Sequence, residues 1–193
     1  MNPNADIPRG IWSNGARWSF YEGPVPTEDL VTAVFCLTLT PKGIVFIKTE
    51  RGYWEMLGGH REHNESIEST LQREIREEGG VRLLKFQQFG YREVCNQIEV
   101  INKASGQPYP VIGYVSLFVG FGEIERDALL ADDVVRREIV PINDLLHFDF
   151  SDMPDRRLFE IGLKHLVNLI GSASPEMQVL SDYSLRSLQL QEN

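Results

Sequence analysis

The chain has 193 residues, 42% hydrophobic and 10% aromatic, which suits one ordinary globular domain with a real core. Its 19 basic and 28 acidic residues give a formal net charge of -9, which argues against binding long nucleic acid through a basic surface. No apolar run approaches the roughly 18 residues needed to span a bilayer, so no membrane association is expected.

Residues 1–27 hold prolines and glycines without sustained periodicity and read as an irregular lead-in, with one short strand around "ARWSFYEG". "LVTAVFCLTLT", the turn "PKG" and "IVFIKTE" then read as a hairpin, and "RGYWEML" is a short extended segment leading to Gly58-Gly59. A helix is expected over roughly 66–78, with Asn64 or Ser66 as N-cap and Gly79 or Gly80 as its stop. "RLLKFQQFGYREVCNQIEVI" and "YPVIGYVSLFVGFGEIE" follow as long strands joined through the loop "NKASGQPYP". "REIVPINDLLHF" predicts a short strand entering a helical turn. "PDRRLFEIGLKHLVNLIG" is amphipathic, with Leu158, Ile161, Leu166, Leu169 and Ile170 on one stripe. This order of elements predicts a mixed α/β sandwich, with a domain over 28–171 and a tail over 172–193. The C-terminal helix and tail offer a surface for a homodimer contact. Cys36 and Cys95 lie far apart with no metal-ligand spacing, which favours two buried thiols and a cytoplasmic setting.

The stretch "GGHREHNESIESTLQREIREEGGV" ends its helix on Glu77 and Glu78, where the helix dipole repels carboxylates. At about 100° per residue, taking Ile67 as zero, Leu71 and Ile75 fall near 40° and 80°. Glu78 then falls near 20°, Glu74 near 340° and Glu77 near 280°. Glu78 therefore lies within the apolar stripe, flanked by Glu74 and Glu77. Mutually repelling carboxylates at the edge of a buried face make sense around a hard divalent cation, for which oxygen ligands suit magnesium or manganese.

From Gly59 to Val81 the residues run Gly59, Glu65, Arg73-Glu74-Ile75, Glu77-Glu78 and Gly80-Val81, at the spacing of the Nudix box without a mismatch. The chain thus resembles the Nudix hydrolases of the MutT-like kind. The resemblance implies a Nudix-type α/β/α sandwich with a mixed sheet and a C-terminal amphipathic helix. It also implies a divalent-metal-dependent hydrolase of a diphosphate linkage in a nucleoside-linked substrate, with Mg2+ as cofactor and Mn2+ an alternative. By the same resemblance Glu77 and Glu78 are metal ligands, joined by the Gly59 carbonyl and Glu74. Glu74 is also a candidate base, and Arg73 orients the carboxylates. Glu65 is either a further member of the cluster or a favourable charge at the helix N-terminus. The family often adds a ligand or base from a late loop, for which Asp132 and Asp133 stand at the matching distance before Pro141, with Glu123 and Glu125 as weaker competitors.

This chain departs from the family in reading Met56-Leu57-Gly58-Gly59 where many relatives have a proline before the two glycines. His60 and His63 in the following loop are read as incidental. The family's downstream markers, a proline for ADP-ribose hydrolases and a tyrosine for diadenosine polyphosphate hydrolases, are missing, since positions 97–99 are Gln-Ile-Glu. By default the substrate expected is a nucleoside triphosphate, cleaved to monophosphate and pyrophosphate. The alternative is a Nudix-fold module that binds nucleotide without catalysis. Trp54, Tyr53, Phe89, Tyr91 and Tyr114 are candidates for base stacking, although strand aromatics usually pack. Arg51, Arg61 and Arg92 are candidates for gripping phosphate, with solvated surface as their default.

Overall fold

The computed structural model describes residues 8–97, 99–125, 134–145 and 147–171. Nine strands form one mixed sheet: β1 (Arg9–Ile11), β2 (Arg17–Glu22), β3 (Val31–Thr40), β4 (Gly43–Thr49), β5 (Trp54–Glu55), β6 (Leu57–His60), β7 (Val81–Cys95), β8 (Ile112–Ile124) and β9 (Val134–Val140). Two helices, α1 (Ile67–Gly79) and α2 (Arg156–Ile170), complete the described residues apart from two short 3-10 turns. This is the α/β/α arrangement with a mixed sheet that the element order predicts. The candidate acidic residues Asp132 and Asp133 and the tail 172–193 lie outside the described residues.

β3 organises the sheet because both its faces are apolar. It runs parallel to β8 on one edge, while its other edge is shared between β6, over Ala33–Cys36, and β4, over Thr38–Thr40. β7 and β8 form a long antiparallel pair, and β2 joins the free edge of β7 from Arg17 to Glu22. The expected strand around "ARWSFYEG" is therefore real and extends the sheet. β9 pairs along β4, which carries the late part of the chain to the α1 side.

Two apolar clusters fill the two sides. Leu37, Phe46, Phe89, Leu117, Leu158, Phe159 and Leu163 pack beneath α2, while Val34, Cys36, Leu57, Leu71, Ile75 and Phe118 pack beneath α1. Leu158, Ile161 and Leu166 of the predicted stripe are buried, and Leu169 and Ile170 pack at its edge. Among the described residues no helix is long and apolar enough to cross a membrane.

Cross-strand register sorts the residues near Gly59 onto opposite faces. Gly59, Val34, Ser116, Tyr91 and Tyr21 form one row across β6, β3, β8, β7 and β2 on the α1 face. The next row, His60, Ala33, Val115, Arg92 and Phe20, lies on the α2 face. Side chains alternate across a pleated strand, so a single step from Gly59 to His60 crosses the sheet.

Candidate functional site

α1 begins at Ser66, whose Oγ accepts from the Ser69 N–H at 3.0 Å, and ends at Gly80, whose φ of 60° is the left-handed value that favours glycine. Its buried side includes Leu71, Glu74, Ile75 and Glu78, as the helical wheel places them. The Gly58 N–H donates to Glu78 Oε2 at 2.7 Å, tying the last turn of α1 to β6. Gly59 packs directly on the Glu74 carboxylate: a Cβ added there would stand 2.5 Å from Oε1.

Arg73 is the hub of the cluster. Its Nε and Nη2 donate to the two oxygens of Glu65 at 2.7 and 2.9 Å, a bidentate pairing with good geometry. Nη1 reaches Glu74 Oε1 at 2.9 Å and Glu77 Oε2 at 3.1 Å, and Nη2 also donates to the His60 carbonyl at 3.0 Å. One guanidinium thus fastens the loop after β6 to three carboxylates.

The surroundings treat these carboxylates differently. The Arg73 guanidinium, aided by the Glu62 N–H and the Thr70 hydroxyl, holds the Glu65 carboxyl down at about 2. Burial pushes Glu74 above the usual carboxylate range; Arg73 opposes this, while Glu77 and Glu65 reinforce it. The Glu77 side chain is half exposed, with Arg73 as its partner.

Glu65 carries a testable consequence. Its folded pKa is depressed, so its contribution to stability is complete above the ordinary glutamate value of about 4.5 and is lost as pH falls toward about 2. Denaturation midpoints measured across that window should fall more steeply for the natural chain than for Glu65→Gln. Arg73→Gln, which leaves Glu65 and Glu74 without their shared cation, should cost about 2 kcal/mol in chemical denaturation.

The end of α1 does receive positive charge, from a residue that the sequence reading did not single out. Arg137 of β9 donates from Nη1 to the Gly79 carbonyl at 2.8 Å, the capping position where a cation offsets the helix dipole. Only the β4–β9 pairing brings it there, so local sequence around α1 carries no sign of it. Arg76, on the outer side of α1, is held instead by Glu125 through contacts of 2.6 and 2.9 Å, and Glu123 pairs with Arg82.

The donor set can be tested against a divalent cation. Among the described residues no three His, Cys, Asp or Glu side chains are gathered as a metal cage. Glu74 and Glu77 turn toward Arg73, and Glu78 accepts from Gly58. The chemistry nevertheless fits a hard cation, because every donor is oxygen and Glu74 lies one turn before the adjacent pair Glu77 and Glu78 on one helix edge. Gly59, lacking a Cβ, leaves the Glu74 carboxylate in contact with the β6 backbone.

The remaining candidates lie elsewhere. Arg51 is exposed in the turn between β4 and β5. Trp54 is 8% exposed in the α2-side core, edge-on to Phe148, with Lys48 and Arg136 over its ring. Arg61 is occupied by two backbone carbonyls, those of Glu65 and Glu28, at 2.6 and 2.9 Å. Phe89 is core, whereas along the α1 face Tyr21 stacks on Tyr91, which meets Tyr114 edge-on. Arg92 departs from its default of solvated surface: it is 3% exposed and ion-paired to Asp155 at the start of α2. A single residue in a strand carries no sign of such a partner, since Asp155 lies more than sixty positions away.

A model of the NUDIX domain matches residues 29–159. The pyrophosphohydrolase BsRppH of Bacillus subtilis superposes with a TM-score of 0.57 at 14% identity, covering 81% of this chain and 96% of that one. A NUDIX hydrolase from Nitrosomonas europaea gives 0.49 at 16% identity over 72% and 90% of the two chains. The Ap4A hydrolase of C. elegans gives 0.46 at 12% identity over 72% and 98%. At these identities the likeness to BsRppH is one of fold. No curated protein matches the chain significantly.

Proposed function

This chain belongs to the Nudix family of hydrolases, and on that premise we propose that it hydrolyses a nucleoside triphosphate to the monophosphate and pyrophosphate with the help of a divalent cation. The observation that carries this reading is the carboxylate edge of α1, held against Gly58 and Gly59 by Arg73 and the Gly58 N–H. A domain that only bound nucleotide has no physical need for three crowded carboxylates on one helix edge, two of them buried.

In this reading Glu74, Glu77, Glu78 and the Gly59 carbonyl hold Mg2+ or Mn2+. Those residues would hold the cation, which would supply charge to offset the phosphate oxygens and lower the pKa of water. The chain supplies the rest. Arg73 keeps the rotamers of Glu74 and Glu77 in register and anchors them to Glu65, as residues supporting a metal site do. The Gly58 N–H fixes one oxygen of Glu78 and so sets where its carboxylate points. Glu74, within the cluster, accepts the proton from attacking water at a carboxylate oxygen. Most of the rate gain in such phosphoryl chemistry comes from positioning and electrostatics, which a cluster fixed on one helix and one strand provides.

The test is product release from nucleoside triphosphates, nucleotide sugars, ADP-ribose and diadenosine polyphosphates, with and without magnesium. Metal-dependent pyrophosphate release from a triphosphate supports the proposal. A protein that melts at higher temperature with metal or nucleotide but cleaves none of them is a binding module instead.

A further inference from the structure

Two glycines follow the last carboxylates of α1 directly, and they leave the end of the helix with little stiffness of its own. Gly79 is required by packing, since a Cβ there would collide with Leu57. Gly80 is required by its left-handed φ of 60°. Glycine has more conformational freedom to lose than any other residue, so a turn ending in two of them holds its shape through outside contacts. Glu77 and Glu78 sit on that turn, where the helix dipole opposes both and Glu74 repels Glu78 from one turn before.

Three strands supply the contacts. From β6 the Gly58 N–H donates to the Glu78 carboxylate, and just past β8 the Glu125 N–H donates to the Gly80 carbonyl at 2.8 Å. From β9 Arg137 donates to the Gly79 carbonyl, also at 2.8 Å. The first two donors are backbone groups. Arg137 is the side chain of the three and the one that brings charge, at the residue next to Glu78.

Its placement is not that of a solvated strand arginine. Arg137 stands opposite Ile47 of β4, and Ile139, two residues on, stands opposite Val45. Ile47, Val45 and Ile139 all belong to the cluster beneath α1, so Arg137 is directed to that side. Its neighbour Arg136 has a side chain 63% exposed, paired with Glu138 and lying over Trp54. A partly buried guanidinium gives up solvation that an exposed one keeps. What Arg137 gains is the bond to Gly79.

We infer that Arg137 is a positioning residue for the divalent cation: by holding the Gly79 carbonyl it pre-sets the turn that carries Glu77 and Glu78. The inference rests on the metal reading of the α1 edge, and adds to it a residue 58 positions beyond the turn it holds. The charge of Arg137 and its clamp act on a cation in opposite senses. A nearby positive charge weakens metal binding by repulsion, whereas a pre-set turn strengthens it by sparing the cost of ordering. The sign of the change on removing Arg137 therefore separates the two.

Mn2+ titration followed by electron paramagnetic resonance, without nucleotide, reads this apart from turnover. Arg137→Met should bind Mn2+ at least about tenfold more weakly than the natural chain, the lower bound for groups that support a metal site. Arg137→Lys, which restores a charged donor, should recover most of the loss. Arg76→Met removes an arginine from the same helix end but breaks an exposed pair with Glu125, and should bind as the natural chain does. Unchanged affinity in Arg137→Met overturns the proposal and leaves Arg137 a helix cap. Tighter binding overturns it as well, because the charge then outweighs the clamp, and so does an equal loss in Arg76→Met. Should Arg137→Met not fold, the uncharged Arg137→Gln is titrated under the same criteria. Normal Mn2+ binding by Arg137→Met, in a protein whose natural chain cleaves a triphosphate, sinks this inference alone. The expected loss in Arg137→Met, with no anhydride cleaved by the natural chain, sinks the hydrolase reading and leaves this one standing.

Discussion

Glu78→Gln is expected to lower turnover by more than about a hundredfold while leaving the fold intact. Groups that merely support a metal site cost roughly 10–100-fold when removed, so loss of a charged ligand should exceed that range. The fold should survive because the amide oxygen of Gln still accepts the Gly58 N–H that now donates to Glu78 at 2.7 Å. The exchange also relieves repulsion among crowded carboxylates. Thermal melting of the two proteins without metal should agree within a few degrees, while steady-state pyrophosphate release separates them. An unchanged rate would remove Glu78 from the site.

The two adjacent glycines should respond to the same substitution in opposite ways. At Gly58 φ is 147°, and a Cβ would stand 2.1 Å from the Val34 carbonyl oxygen and 2.6 Å from Phe35 Cα. Those are backbone atoms of the central strand and cannot step aside, so Gly58→Ala should destabilise the fold by about 3 kcal/mol or more. At Gly59 the atoms in the way belong to the Glu74 carboxylate, the far end of a flexible side chain. Gly59→Ala should therefore cost little in denaturation but push Glu74 out of the cluster, lowering kcat by about a hundredfold, as a misplacement of about 1 Å does. If Gly59→Ala unfolds like Gly58→Ala, the contact with Glu74 is structural and not functional.

How far the sequence reached can be seen in particular residues. The wheel placed Glu78 within the apolar stripe with Glu74 and Glu77 flanking it, because helix periodicity is local; Glu78 is buried as that implies, and of the two flanking residues Glu74 is buried and Glu77 half exposed. Ser66 over Asn64 as N-cap, and Gly80 over Gly79 as the stop, were open in the sequence. Side-chain geometry and a positive φ decide them. Strand order was out of reach, because β3 lies parallel to β8 across more than seventy intervening residues. Everything that depends on that order escaped with it. Arg137 caps α1 only because β9 pairs with β4, and Arg92 meets Asp155 only because α2 lies over β7. The Nudix box itself was legible because its nine specified positions sit on one turn-and-helix segment, where spacing alone brings them together.

One experiment bears most directly on the claim that the α1 carboxylates form a hydrolytic centre. Purified protein is offered each nucleoside triphosphate with magnesium, and again with the metal chelated, and the phosphate products are identified. The account predicts pyrophosphate and monophosphate in equal amounts, only when metal is present and not from Glu78→Gln. Nucleotide binding that proceeds with no anhydride cleaved, at any metal concentration, would contradict it.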